Sequence, residues 1–193
     1  MTDQERVQTP RLELVPLSAE LLAALVDGDR AGAARLVRFT IPDGWPSPKE
    51  DRFLRLRLRQ LRADGTLGPW LLRAIILLDD GRMVGHVGFH GPPGVNGLRA
   101  SDAVEIGYTI FTEHRGRGYA TEAARALVAW AGERGVSRVI ASVAPANAPS
   151  LRIVEKLGLR QIGSQVDDAD GKELVFEVAA ALSSYLPDRL PPS

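Results

Sequence analysis

The stretch Glu105-Ile-Gly-Tyr-Thr-Ile-Phe-Thr-Glu-His-Arg-Gly-Arg-Gly-Tyr-Ala-Thr121 decides the fold. Val104 to Phe111 is mostly β-branched or aromatic and reads as a strand. Gly116 and Gly118 follow, and without a Cβ they let backbone N–H groups come close to a ligand. Ala120, Ala124, Leu127 and Ala131 then recur at helical spacing, with Gly135 as the stop. A glycine loop opening into a helix N-terminus suits an anion, because unpaired N–H groups and the positive end of the helix dipole converge there. Arg115 and Arg117 add cationic charge. The stretch therefore reads as strand, pyrophosphate cradle, helix.

Three ligand classes use such a cradle. A Walker loop needs Lys followed by Ser or Thr after its second glycine, and here Tyr119-Ala120 follows. A dinucleotide fingerprint needs a third Gly or Ala where this chain has Thr121, and no early βαβ unit surrounds it. Coenzyme A is the third class. Six residues alone also fit a plain strand-to-helix connection, so the context downstream matters. That context is Asn147-Ala-Pro-Ser-Leu-Arg-Ile-Val-Glu-Lys-Leu-Gly-Leu159. Arg115-Gly-Arg-Gly-Tyr-Ala120 resembles the Arg/Gln-x-x-Gly-x-Gly/Ala signature of the GNAT superfamily of acyl-CoA N-acyltransferases. The segment from Asn147 resembles the Asn-x-x-Ser-x-x-x-x-Glu-Lys-x-Gly-Phe pattern of the branch that includes ribosomal-protein N-terminal (Rim-type) acetyltransferases, with Leu159 in place of the aromatic. Thr9-Pro-Arg-Leu-Glu-Leu14 is similar to the first strand of that branch, and the likeness spans about residues 9 to 180.

Size and composition set limits. A chain of 193 residues fits one domain with a real core; residues 10–182 are expected to be that domain, 1–9 a frayed tail and 183–193 a proline-rich tail. The formal charge is zero, which argues against nucleic acid or an acidic membrane as a non-specific partner. Absence of cysteine excludes disulfides, thiolate metal sites and a cysteine nucleophile, and is compatible with a reducing cytosol. The polar N-terminus reads as no signal peptide, and Ala74 to Leu78 is too short an apolar run to span a bilayer. A cytoplasmic setting is expected.

Along the chain, Arg11 to Pro16 alternates as an edge strand, Ser18 caps a helix to about Val26, and Asp29 to Phe39 looks like a second helical piece. Ser47-Pro-Lys-Glu50 is a capping box that starts a helix to about Ala63. Leu54-Arg-Leu-Arg-Leu-Arg59 alternates like a strand, but the box and the Leu54, Leu58, Leu61 spacing favour helix. The arginines at 52, 55, 57, 59 and 62 read as a solvated face, the alternative being attraction of an acidic acceptor. Trp70 to Leu78 and Met83 to His90 form a hairpin, and a loop runs from Gly91 to about Asp102. Ser137 to Ala144 is apolar on both faces and so interior. Asn147 to Leu157 is a short helix ended by Gly158, and a last hairpin runs from Leu159 to Ala179 with its turn at Asp170-Gly171.

The resemblance implies an α+β (α/β) fold: a mixed, mainly antiparallel central sheet flanked by helices, in which the strands at 104–111 and 137–144 run parallel and splay apart. It implies acetyl-CoA as co-substrate with no metal. Backbone groups of Tyr108, Thr109 and Ile110 would pair with the pantetheine arm, Arg115, Gly116, Arg117, Gly118, Tyr119, Ala120 and Thr121 would hold the pyrophosphate, and Asn147 and Ser150 would complete the binding site. Asn147 is an equally good helix cap.

The implied reaction is attack of a neutral amine on the thioester. At pH 7 an α-amine (pKa about 7.7–8.0) is roughly one-sixth neutral, whereas a lysine (pKa about 10.4) is neutral to a few parts in ten thousand. Glu105 is the candidate base, directly or through water; the alternative is a rim glutamate in a salt bridge. Many GNAT enzymes carry a general-acid tyrosine seven residues after the asparagine, and this chain has Val154 there, so Ser150 is the candidate acid. Tyr108 and Tyr119 read as packing residues. Trp45 and His90 are candidates for the acceptor pocket. His86 and His90, four residues apart, read as ordinary strand residues, with no metal spacing around them. The expected function is N-acetylation of an amine-bearing small molecule or a protein N-terminus. The competing class is an acyl-CoA-binding module without turnover. A homodimer is the default assembly.

Overall fold

The computed structural model describes residues 5–167 and 171–180. One eight-stranded sheet organises them. In chain order its strands are β1 (Val7–Gln8), β2 (Leu12–Pro16), β3 (Leu72–Leu77), β4 (Met83–Phe89), β5 (Ala103–Ile110), β6 (Arg138–Val143), β7 (Arg160–Asp167) and β8 (Gly171–Ala179). Their spatial order is β1-β2-β3-β4-β5-β6-β8-β7. Every neighbouring pair is antiparallel except β5 and β6. The expected mixed, mainly antiparallel sheet with one parallel pair is the observed one.

Helices cover both faces. On one side lie α1 (Ala19–Val26), α2 (Arg30–Arg35) and α3 (Pro48–Ala63). Leu22 and Leu25 of α1 and Leu54, Leu58 and Leu61 of α3 pack there against Ala74 and Ile76 of β3. On the other side are α4 (Tyr119–Gly132) and α5 (Ala148–Lys156). Ala124, Leu127 and Ala131 of α4 join Leu12, Leu14, Ile75 and Leu77 in the second core. Period-2 alternation in β3 thus feeds both cores, as a sheet buried on two faces requires. Burial of these apolar side chains supplies the main driving force for folding.

The ambiguous segment 54–59 is helical. Its start is fixed by Glu50, whose carboxylate accepts from both the N–H and the hydroxyl of Ser47 (2.9 and 2.6 Å). The second helical piece is shorter than expected and stops at Arg35. Part of the expected N-terminal tail is ordered: Val7 and Gln8 pair with Leu14 and Glu13. The expected turn residue Asp170 and the segment 183–193 lie outside the described residues.

One feature of the sheet positions the site. The parallel ladder holds for only three pairs, Ala103–Arg138, Val104–Val139 and Glu105–Ile140. From Ile106 onward β5 keeps its partner β4 but has no partner on the β6 side. The expected V-shaped gap therefore opens immediately after Glu105.

Candidate active site

Two cavities meet along the unpaired half of β5. Both are lined by Tyr108, Thr109, Ile110 and Arg115. The smaller, about 550 Å³, is closed by the glycine loop, the first turn of α4 and the N-terminal half of α5. Gly116 (φ 77°) and Gly118 (φ 81°) both take the left-handed conformation that a side chain disfavours. Among the described residues, no protein group accepts from the N–H groups of Gly116, Arg117 and Gly118. They point the way into α4, whose first-turn N–H groups lack intrahelical partners by construction. Arg115 and Arg117 are exposed beside them. This arrangement fits a pyrophosphate: free donors, left-handed glycines and positive charge coincide.

The loop is braced from a distance in sequence. Glu122, in the first turn of α4, accepts from the Thr9 hydroxyl (2.6 Å) and from the Arg11 N–H and Nε (3.0 and 2.7 Å). Arg11 also donates through Nη1 to the Arg117 carbonyl (3.0 Å) and stacks over the Tyr119 ring. Sequence reasoning placed residues 9–14 in a strand and missed this brace. The partners lie 111 residues apart, and no local pattern in the sequence pairs them.

Asn147 caps α5, with its side-chain oxygen accepting from the Ser150 N–H (3.2 Å), and it lines the smaller cavity together with Ser150. The cap leaves the side-chain NH₂ as a donor. Tyr108, expected as packing, is more than that. Its hydroxyl is buried without a well-formed hydrogen bond among the described residues. Burial raises the phenol above its ordinary pKa, and the nearby Ser150 hydroxyl pulls in the opposite direction. Val154 is buried core and offers no chemistry.

The larger cavity, about 900 Å³, lies between the loop at 42–47, α3 and strands β4 and β5. α3 turns Glu50, Phe53 and Arg57 toward it, three side chains along one helical stripe. At one end, Glu50 accepts from Trp45 Nε1 (3.1 Å) and lies 3.4 Å from His86 Nε2. His86 beside it outweighs burial and, with Ser47, holds Glu50 down to about 2. Trp45 is buried and lines the cavity, and its ring lies 6.1 Å from that of His86. Sequence reasoning had assigned His86 no role; here it ties α3 to β4.

At the other end stands His90, half-exposed and lining the cavity. Its Nδ1 is 3.5 Å from Glu105 Oε2. Its Nε2 lies over Gly107, at the 3.6 Å contact distance of an added Cβ. Glu105 itself lines neither cavity and is only 2% exposed. Its two oxygens accept from the Gly97 N–H (2.6 Å) and the Ser142 hydroxyl (2.5 Å). Burial pushes this carboxyl up, but His90, Ser142 and Gly97 outweigh it and hold it at about 2. The candidate base from sequence is therefore a fixed anion behind an imidazole. Among the described residues, no three histidine, aspartate or glutamate side chains are grouped to hold a metal ion.

The sequence model of a family described as "Acetyltransferase (GNAT) domain" matches residues 11–160. The chain belongs to the GNAT acetyltransferase family. A curated relative, the uncharacterized N-acetyltransferase YjdG of Bacillus subtilis, is 33% identical over 158 residues, covering 79% of this chain and 88% of its own. Among solved structures, the GNAT-family acetyltransferase from Bacillus anthracis superposes with a TM-score of 0.61 at 22% identity, covering 91% of this chain and 99% of that one. RimJ from Mycobacterium smegmatis, solved in complex with a CoA disulfide, gives 0.57 at 22% identity over 88% and 82%. Rim-type acetyltransferases thus stand among the structural neighbours of this GNAT chain, with the same fold.

Proposed function

We propose that the protein is an N-acetyltransferase that moves an acetyl group from acetyl-CoA to a primary amine by direct attack on the thioester, in the cytoplasm. The observation that supports this best is the meeting of two cavities along Tyr108–Ile110, one with a pyrophosphate cradle and the other with an imidazole backed by a carboxylate. When bound, acetyl-CoA supplies a thioester whose carbon bonds the amine nitrogen as its bond to sulfur breaks. The chain's own groups do the rest. Gly116 to Thr121 hold the anion, and Asn147 and the free β5 edge orient the arm in the gap. His90 takes the proton that the amine nitrogen gives up, and buried Glu105, 3.5 Å from its Nδ1, stands behind the ring. The hydroxyls of Ser150 and Tyr108, both lining the smaller cavity, would supply a proton to the departing thiolate. A thiol is already a fair leaving group, so a weak acid suffices.

The acceptor is a small-molecule amine or a protein N-terminus. Thiol release from acetyl-CoA against a panel of amines tests the reading. His90→Ala should lower kcat by about 10²–10⁴-fold, the usual contribution of a positioned base, with acetyl-CoA affinity within about twofold by calorimetry. Tight CoA binding with no turnover on any amine would instead favour a binding module.

A further inference from the structure

We propose that Arg57 forms an anion subsite in the larger cavity that recognises a carboxylate on the acceptor, close to the nitrogen that is acetylated. The reading rests on the transferase assignment for its occupant. Arg57 is 6% exposed, yet among the described residues no carboxylate lies within ion-pair distance of it. Its Nη1 donates to the Gln60 side-chain oxygen (3.0 Å) and to the His90 carbonyl (2.9 Å). Among the described residues, Nε is buried without a partner and Nη2 makes no hydrogen bond. A buried guanidinium needs a counter-charge, because desolvation of the cation is costly and neutral oxygens compensate it only in part.

The cavity is where that charge must come from. Glu50, the one acidic side chain on the same helical stripe, is engaged by Ser47, Trp45 and His86 at the far end. Glu113 is exposed at the mouth, whereas Lys49 and Arg115 add positive charge to the lining. Arg73 makes a useful contrast. Both are buried against an aromatic ring, Arg57 over Phe53 and Arg73 over Trp130, but Arg73 donates to the carbonyls of Glu5 and Pro69 and lines neither cavity. Among the described residues, Arg57 alone combines burial, an unspent donor and an opening on the site.

Its position also limits the acceptor. The guanidinium is bonded to the backbone carbonyl of His90, the residue proposed as the base. A carboxylate held there belongs to the same small unit as the amine. That geometry is met by a free amino acid, and by a peptide whose first residue is acidic. With Nη1 spent and Nε sealed, Nη2 is the donor left for a carboxylate, through a charge-assisted hydrogen bond.

The test compares free L-amino acids, their carboxamides, and dipeptide amides beginning with aspartate or glutamate. Wild type should use at least one carboxylate-bearing class about tenfold better than the carboxamides, by kcat/KM. A preference for free amino acids identifies that source, and one for acidic dipeptides identifies the other. In Arg57→Gln the acid arm should fall about tenfold more than the amide arm, and Arg57→Lys should keep part of the preference, with melting temperature checked for both. In parallel, calorimetry on the CoA-loaded protein should show N-acetyl amino acids binding about tenfold tighter than their amides in wild type only. Acid preference in binding with no thiol release would sustain the subsite and sink the transferase. Equal treatment of acids and amides by wild type, or an equal loss on both arms in Arg57→Gln, would overturn the subsite.

Discussion

The two halves of the site are built from different material. The half proposed for CoA is made of main chain: N–H groups at Gly116–Gly118 without partners among the described residues, and an unpaired strand edge. The half proposed for the acceptor is made of side chains from separated segments: Trp45, Glu50 and Arg57 around α3, His86 and His90 on or just after β4. A backbone cradle tolerates change in most side chains near it, so it suits a ligand common to a whole family. A wall of side chains can be rebuilt piece by piece, so it suits an acceptor that differs between relatives.

The difference also separates their response to acid. Both carboxylates held at about 2, Glu50 and Glu105, serve the acceptor half. A carboxyl whose folded pKa lies below its unfolded value of 4.5 adds stability above that value and loses it as pH falls toward about 2. Stability should therefore decline between pH 4.5 and about 2, by on the order of 3 kcal/mol from Glu105 alone. Urea denaturation at stepped pH would measure it, and Glu105→Gln should flatten the slope. An unchanged slope would detach Glu105 from the ladder's end. Next in size is Gly118→Val. A side chain there meets left-handed strain and Arg11 Nη2 at 3.4 Å, so CoA affinity should fall about tenfold or more, roughly 1.4 kcal/mol. Binding of N-acetyl amino acids to the larger cavity should stay within a few-fold. Smallest is Trp45→Phe. It removes one donor to Glu50, and acceptor KM should rise about threefold to tenfold while acetyl-CoA KM holds. Comparable effects on both substrates would merge the two halves into one unit.

The same contrast explains what could be read from the chain. Gly116, Gly118 and Asn147 announce themselves because left-handed turns and helix caps restrict residue type locally. Ser47 to Glu50 likewise settled a segment whose Leu-Arg alternation pointed to a strand. Glu105 was visible as a carboxylate in an apolar strand, but not its direction. Three contacts decide that: Gly97 in a loop, Ser142 on β6 and His90 after β4. None of the three adjoins Glu105 in sequence. Arg57 looked like one of many arginines on a solvated face, because helical spacing alone does not distinguish the cavity side of α3 from its outer side. The Arg11–Glu122 brace spans 111 residues and left no local mark.

Glu105 is the last residue of β5 to pair with β6, and its two oxygens hold the β6 hydroxyl and the loop amide together. The fork between the strands is therefore pinned at its root before any ligand arrives. The entropy of prising the strands apart is lost when the chain folds, so an entering thioester meets a slot already cut to width.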